Sequence, residues 1–251
     1  MSDSRGMARS DDRRRRGLRA VVGTATALVL LLAVTPDPVG PTPSSSAGVT
    51  PAAAATPPPT PTGTGAGVGD DVVLLGDSVT EQAFGYLGGP TQGAPARLHR
   101  WSHVGWTLRA AADHAGGTLD AVSTGTVVVA VGPNDAAPWD GGWTDDDVAR
   151  WQATLDGIPA ATCVAVVLPG WGAALHGTPW ERGMEQMRSD VQRLVDARQA
   201  GGSPTIAVDW LPIVTEHPDY LAADGIHLAT VAAAHARQAL YWDAVARCGE
   251  T

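Results

Sequence analysis

The chain has 251 residues, with 17 basic side chains, all of them arginine, against 26 acidic ones and a net charge of −9. Seven arginines fall within the first 19 residues beside only three aspartates, a net +4 that leaves −13 on everything after Arg19. So acidic a body repels phosphate backbones and has no basic stripe to overcome the repulsion, which argues against nucleic acid as a partner.

From Ala20 to Val34 the chain is apolar apart from Gly23, Thr24 and Thr26, and Arg13 to Arg16 stand just before it. A basic start followed by an apolar core is the pattern of an exported protein. Such a run is long for a signal core and short for a full membrane span, so residues 1–34 are read as either a cleaved signal peptide or an N-terminal membrane anchor. A twin-arginine signal fits less well, because the serine or threonine and the aromatic residue that usually flank such a pair are missing. The expected location is extracellular or at the cell envelope. Residues 35–69 hold nine of the 19 prolines and almost no large apolar side chain. Such a stretch cannot bury enough surface to offset ordering its backbone, so it reads as a disordered linker. If polyproline-like, it reaches on the order of 100 Å.

Residues 70–251 have the size of one domain. Apolar, β-branched runs bounded by Gly, Pro or Asp predict short buried strands at Asp71–Leu75, Thr126–Val131, Cys163–Leu168 and Thr205–Val208. A more polar strand is expected at Leu98–Val104, towards a sheet edge. Between them, Trp106–His114, Thr144–Leu155, Pro179–Gln199 and Ala229–Arg247 read as helices, Thr144 and the three aspartates after it forming a capped, charge-complemented start. Near-continuous hydrophobicity points to a parallel sheet covered on both faces. The expected architecture is α/β: a flavodoxin-like three-layer α/β/α sandwich with a five-stranded parallel sheet in the order 2-1-3-4-5. A monomer is expected.

Ligands of such a sheet bind beyond the carboxyl ends of the strands. Four short blocks fall in order along the chain: Gly76-Asp77-Ser78-Val79 after the first strand, Gly105, Gly132-Pro133-Asn134-Asp135 after the third, and Asp224-Gly225-Ile226-His227 near the C-terminus. Together they supply what acyl transfer needs: a hydroxyl nucleophile, donors for an oxyanion, and a base with its orienting carboxylate. Taken alone, Asp77 and Ser78 read better as a helix cap. As a set, the blocks resemble those of the SGNH hydrolases, the GDSL esterase and lipase family, over essentially all of residues 71–247. The resemblance implies Ser78 as nucleophile, His227 as base and Asp224 as its carboxylate. It also implies an oxyanion hole from the backbone amides of Ser78 and Gly105 and the side chain of Asn134. Valine at position 79, where the classical tetrapeptide has leucine, is similar to secreted SGNH domains that act on cell-wall or capsular sugars, including O-acetyltransferases and acetylesterases. The expected substrate is therefore an acylated carbohydrate or other ester. The rival readings are a lipase or short-chain esterase without sugar preference, and a non-catalytic glycan-binding module.

Trp106 and Trp171 are candidate substrate-binding residues, with Trp139 and Trp143 also in loops expected near the cleft, because indole faces stack on sugar rings; ordinary packing is the competing reading. Neither cofactor nor metal is expected. His99 and His103 have ligand spacing only in a helix and lie in a predicted strand, while Asp145 to Asp147 lack the alternation of a calcium loop. His176 and His217 fall in loops and read as solvated. Cys163 and Cys248 either close a disulfide or stay apart, one buried and one free.

Overall fold

The computed structural model describes residues 71–121, 125–138 and 141–250. The expected leader at 1–34, the linker at 35–69 and Trp139 lie outside the described residues.

Five parallel strands, β1 (Asp71–Gly76), β2 (Arg97–Ser102), β3 (Thr126–Ala130), β4 (Cys163–Leu168) and β5 (Thr205–Asp209), form one sheet in the order β2-β1-β3-β4-β5. The expected fold class is the observed one. Past Asp71 and Thr126 at their starts, β1, β3 and β4 are apolar because successive side chains enter two separate cores. Val72, Leu74, Val128, Ala165 and Val167 face one, and Val73, Leu75, Val127, Val129, Val164 and Val166 face the other. β2 pairs only with β1, in register from Asp71↔Arg97 to Gly76↔Ser102, and its edge position accommodates the polar residues that blur it in the sequence.

Two helices cover the first face: α1 (Ser78–Leu87) through Val79, Ala83 and Phe84, and the C-terminal α7 (Val231–Cys248) through Ala234, Tyr241 and Trp242. The second face is covered by α2 (Leu108–Ala115), α4 (Asp145–Gly157) and α5 (Pro179–Ala200), which bring Leu108, Trp151, Leu155, Met184, Met187 and Val191. α3 (Gly117–Ala121) and α6 (Leu211–Glu216) complete the set and are too short for periodicity to announce them. Two helix starts lie slightly inside the expected ones because threonine caps precede them. The Thr107 and Thr230 hydroxyls accept the Ala110 and Ala233 amides, so α2 starts at Leu108 and α7 at Val231.

Of the two readings open for the cysteines, the structure holds the disulfide. Cys163 at the start of β4 is bonded to Cys248 at the end of α7, Sγ–Sγ 2.07 Å.

Candidate active site

Ser78, Gly105 and Asn134 follow β1, β2 and β3, three neighbouring strands, at their carboxyl ends. That placement follows from the sheet order alone. Ser78 is the first residue of α1, and Asp77 before it caps the helix by accepting the Val79 amide at 2.9 Å. A serine here sits where helix amides are unpaired and the dipole favours negative charge. The turn is tight: a Cβ on Gly76 would lie 2.5 Å from the Thr80 Cβ, so only glycine lets α1 fold back this closely on β1.

The loop ahead of α7 brings the other end of the chain to Ser78. Ser78 Oγ and His227 Nε2 are 2.9 Å apart across 149 residues of sequence, and His227 Nδ1 lies 2.7 Å from Asp224 Oδ2. Asp224 Oδ1 accepts the backbone amides of Ile226 at 2.9 Å and His227 at 3.0 Å, which locks the carboxylate to its own turn. Gly225 takes the positive φ of +74° that the turn requires. Burial raises the Asp224 pKa, but these two amides and the His227 ring outweigh it, so the group lies below the ordinary carboxylate value and is charged at neutral pH.

Two side chains of α1, neither singled out in the sequence, fasten the histidine loop. Gln82 Oε1 accepts the Leu228 amide at 2.8 Å and Tyr86 donates its hydroxyl hydrogen to the Leu228 carbonyl at 3.2 Å. Their spacing from Ser78, four and eight residues, was the available signal, since it puts all three on one helix face. An isolated antiparallel bridge between Leu221 and Leu228 closes the same loop from its own side.

Asn134 donates from Nδ2 to the Trp106 carbonyl at 3.1 Å, which fixes its amide against the loop carrying Gly105. Gly105 is exposed, with φ +82°. Asp135 ties the same two loops together: its carboxylate accepts the Leu108 amide at 3.2 Å and the Trp151 indole at 3.0 Å. Two acids around the site are pushed up by burial. Desolvation lifts Asp77 to about 6 against the opposing Arg237 charge and the Val79 and Thr80 amides. It lifts Asp135 to about 7 against the Trp151 and Leu108 hydrogen bonds, with the charges of Asp77 and Asp147 adding to the rise.

Of the two candidate substrate-binding tryptophans, Trp171 departs from that reading. Trp171 is 6% exposed, donates its indole hydrogen to Glu181 at 3.1 Å and lies under the Arg188 guanidinium, 5.8 Å from the ring centroid. It is a core residue with no face left for a sugar, because its side chain turns into the layer between β4 and α5 rather than out of the cleft. Trp106 is half-buried and stacks on His114 at 4.3 Å, with His103 at 5.5 Å. Trp143 donates to Asp190 at 2.8 Å. His99 sits in strand β2, 3.6 Å from Asp71, apart from His103 in the following loop.

No protein-family model and no curated protein matches the sequence. Solved structures do match in fold. The C-terminal catalytic domain of Streptococcus pneumoniae peptidoglycan O-acetyltransferase A is 21% identical at a TM-score of 0.52, covering 73% of this chain and 94% of its own. A lipase/acylhydrolase from Enterococcus faecalis is 18% identical at 0.54, covering 70% and 95%. An acetyl xylan esterase from Geobacillus stearothermophilus is 16% identical at 0.56, covering 71% and 95%. At these identities the likeness is one of fold: residues 71–250 share the α/β fold of these esterases and acylhydrolases.

Proposed function

We propose that the chain is an exported serine esterase that forms an acyl-enzyme on Ser78 and removes or transfers O-acetyl groups on carbohydrate of the cell envelope. The observation that carries the chemistry is the hydrogen-bond chain from Ser78 through His227 to Asp224, at 2.9 and 2.7 Å. With Asp224 ionised and accepting from Nδ1–H, the His227 tautomer leaves Nε2 free to take the Ser78 proton. Ser78 Oγ then attacks the ester carbonyl. The developing oxyanion is met by the amides of Ser78 and Gly105 and by the second Nδ2 hydrogen of Asn134, whose first is held by Trp106. His227 returns the proton to the departing alcohol, and water or a sugar hydroxyl takes the acyl group in the second half-reaction. Hydrolase and transferase share the first half and differ only in the acceptor.

The leader-like start and the long proline-rich segment of the sequence support export. The acetyl-handling proteins among the fold neighbours, an O-acetyltransferase domain and an acetyl xylan esterase, support acetylated carbohydrate as substrate. A second reading, an esterase or lipase indifferent to sugars, is favoured by Val104, 67% exposed beside the Ser78 groove. A fluorophosphonate probe tests the chemistry. Wild type labels at Ser78, Ser78→Ala does not label, and His227→Ala labels slower by about 100-fold or more. Failure of folded wild type to label overturns the proposal. Acetate release from wall polysaccharide, set against release from simple lipid esters, tests the substrate.

A further inference from the structure

Helix α1 shows two unlike stripes. Val79, Thr80, Ala83 and Phe84 are buried. Ser78, Glu81, Gln82, Gly85 and Tyr86, spaced i, i+3, i+4, i+7 and i+8, form the opposite stripe and wall one side of a groove of about 510 Å³, which His227 and Val104 complete. Among the described residues only three large hydrophobic side chains are well exposed, and two of them, Val104 at 67% and Tyr86 at 45%, line this groove. The groove is a continuation of the Ser78–His227 pair along the helix. A rise of about 1.5 Å per residue carries it roughly 10–12 Å beyond the serine, further than an acetyl group extends.

We infer that this stripe of α1 is the subsite for the alcohol half of the ester, and that it is built to take the successive rings of a glycan. The inference rests on the proposed reading of Ser78 as nucleophile, and three observations carry it.

The first concerns which half of the substrate lies here. When the Ser78 Oγ–carbonyl bond forms and the carbonyl–alcohol bond breaks, the proton taken from Ser78 must pass from His227 to the alcohol oxygen. That oxygen therefore leaves on the His227 side, which is the side the groove opens from. Asn134 borders a separate cavity of about 480 Å³ that Asp146, Asp147 and Arg150 also line.

The second is Gly85. It stands inside a helix, where glycine is unfavourable, and packing does not demand it: an added Cβ would meet nothing within 4 Å. What a side chain there would do is project into the groove. The glycine keeps the wall clear for something bulkier than ethanol.

The third is chemistry. The Tyr86 ring is held by its hydroxyl on Leu228, so it presents an aromatic face with little entropy left to lose. The Gln82 amide is likewise held through Oε1 on the Leu228 amide, which directs its NH2 end elsewhere, and Glu81 brings a carboxylate that also bonds Ser102. The groove is open to solvent and its accessible lining is mostly apolar, so a sugar ring can lay its C–H face on it while its outer hydroxyls stay hydrated, whereas an alkyl chain there would keep much of its apolar surface in water. A sugar ring offers apolar C–H faces to Tyr86 and hydroxyls to Gln82 and Glu81.

The test holds the acyl group constant and varies the alcohol: ethyl acetate, octyl acetate and a partially O-acetylated xylo-oligosaccharide, with the full chain as enzyme. Wild type should prefer the oligosaccharide, and Gly85→Leu and Tyr86→Ala should each lower the ratio of kcat/KM for oligosaccharide over ethyl acetate by about tenfold or more. Tyr86→Phe keeps the ring but frees it from Leu228, so it should lower the ratio by less than Tyr86→Ala does. Fluorophosphonate labelling of every variant reports an intact nucleophile independently of the groove. Octyl acetate preferred by wild type, or a ratio unmoved in both Gly85→Leu and Tyr86→Ala while labelling persists, overturns the subsite and spares the esterase. Absence of labelling in folded wild type removes both.

Discussion

At the scale of single residues, the site combines one donor whose geometry is fixed in advance with two acids kept close to neutrality by burial. Asn134 is held by the Trp106 carbonyl through one Nδ2 hydrogen, so the other needs no reorganisation to meet an oxyanion. Asn134→Ala should lower kcat by about 100- to 1000-fold with little change in KM, which steady-state kinetics on an aryl acetate would measure. Asp135 is the neighbouring case with the opposite energetic sign. Folded Asp135 keeps its proton up to about pH 7, whereas the ordinary value is 3.8, so between these values the folded state binds more protons than the unfolded chain. Its contribution to stability therefore falls as pH rises through that window and stays low above it. At about 1.4 kcal/mol per unit, the cost at pH 8 is bounded at roughly 4 kcal/mol. Asp135→Asn cannot ionise and keeps an oxygen to accept from Leu108 or Trp151. The variant should melt higher than wild type at pH 8, and the advantage should shrink towards pH 5; a constant difference in Tm across that range would refute the assignment. The Asp224 contribution is common to both proteins and cancels in the comparison, whereas that of Asp77, whose charge acts on Asp135, cancels only in part.

At the scale of elements, the junction between β1 and α1 sets where the nucleophile stands. Thr80 is fully buried, its hydroxyl placed between the Ala130 carbonyl at 3.3 Å and the Tyr241 hydroxyl at 3.0 Å, so it cannot swing aside for a side chain on Gly76. Gly76→Ala should destabilise the domain by about 1–3 kcal/mol and displace Ser78. Thermal melts and probe labelling would show both effects together, whereas a normal Tm with normal labelling would mean that the contact is softer than the geometry requires. The same junction explains what could be read from the sequence. The buried strands announce themselves as apolar runs, and a motif that directly follows such a run must lie at a carboxyl strand end, so Ser78 and Asn134 were legible. Strand β2 was less so because an edge admits Arg97, His99 and Arg100. Trp171 misled for a related reason: following β4 fixes where its backbone is, not whether its indole turns out to the cleft or down to Glu181 and Arg188 on α5. For Gln82 and Tyr86 the spacing showed only a helix face shared with Ser78, not what they do there. What they hold is Leu228, more than 140 residues away, and no local pattern encodes a contact at that distance.

At the scale of the whole described domain, chemistry and covalent bracing occupy opposite ends of the sheet. The four blocks gather beyond the carboxyl ends of the strands, while Cys163 opens β4 at its amino end and Cys248 closes α7. The bond spans 85 residues of sequence, and that loop contains β5, α5 and the histidine loop itself. In the chain-entropy account, closing a loop of this size costs the unfolded state about 4.5 kcal/mol, and removals of native disulfides are measured at about 2–5 kcal/mol. For a domain of this length that corresponds to a fall in Tm of roughly 5–15 °C. Cys248→Ser should show this fall, and reduction of wild type should reproduce it. Well below the lowered Tm, however, the Ser78–His227 distance is set by Gln82, Tyr86 and the Leu221–Leu228 bridge, which hold the loop ahead of α7, at the opposite end of that helix from Cys248. Probe labelling of Cys248→Ser at 25 °C should therefore proceed at nearly the wild-type rate. A variant that melts as expected but labels much more slowly would show that α7 transmits strain from its C-terminal end to the histidine loop at its start, and the separation of bracing from chemistry would fail.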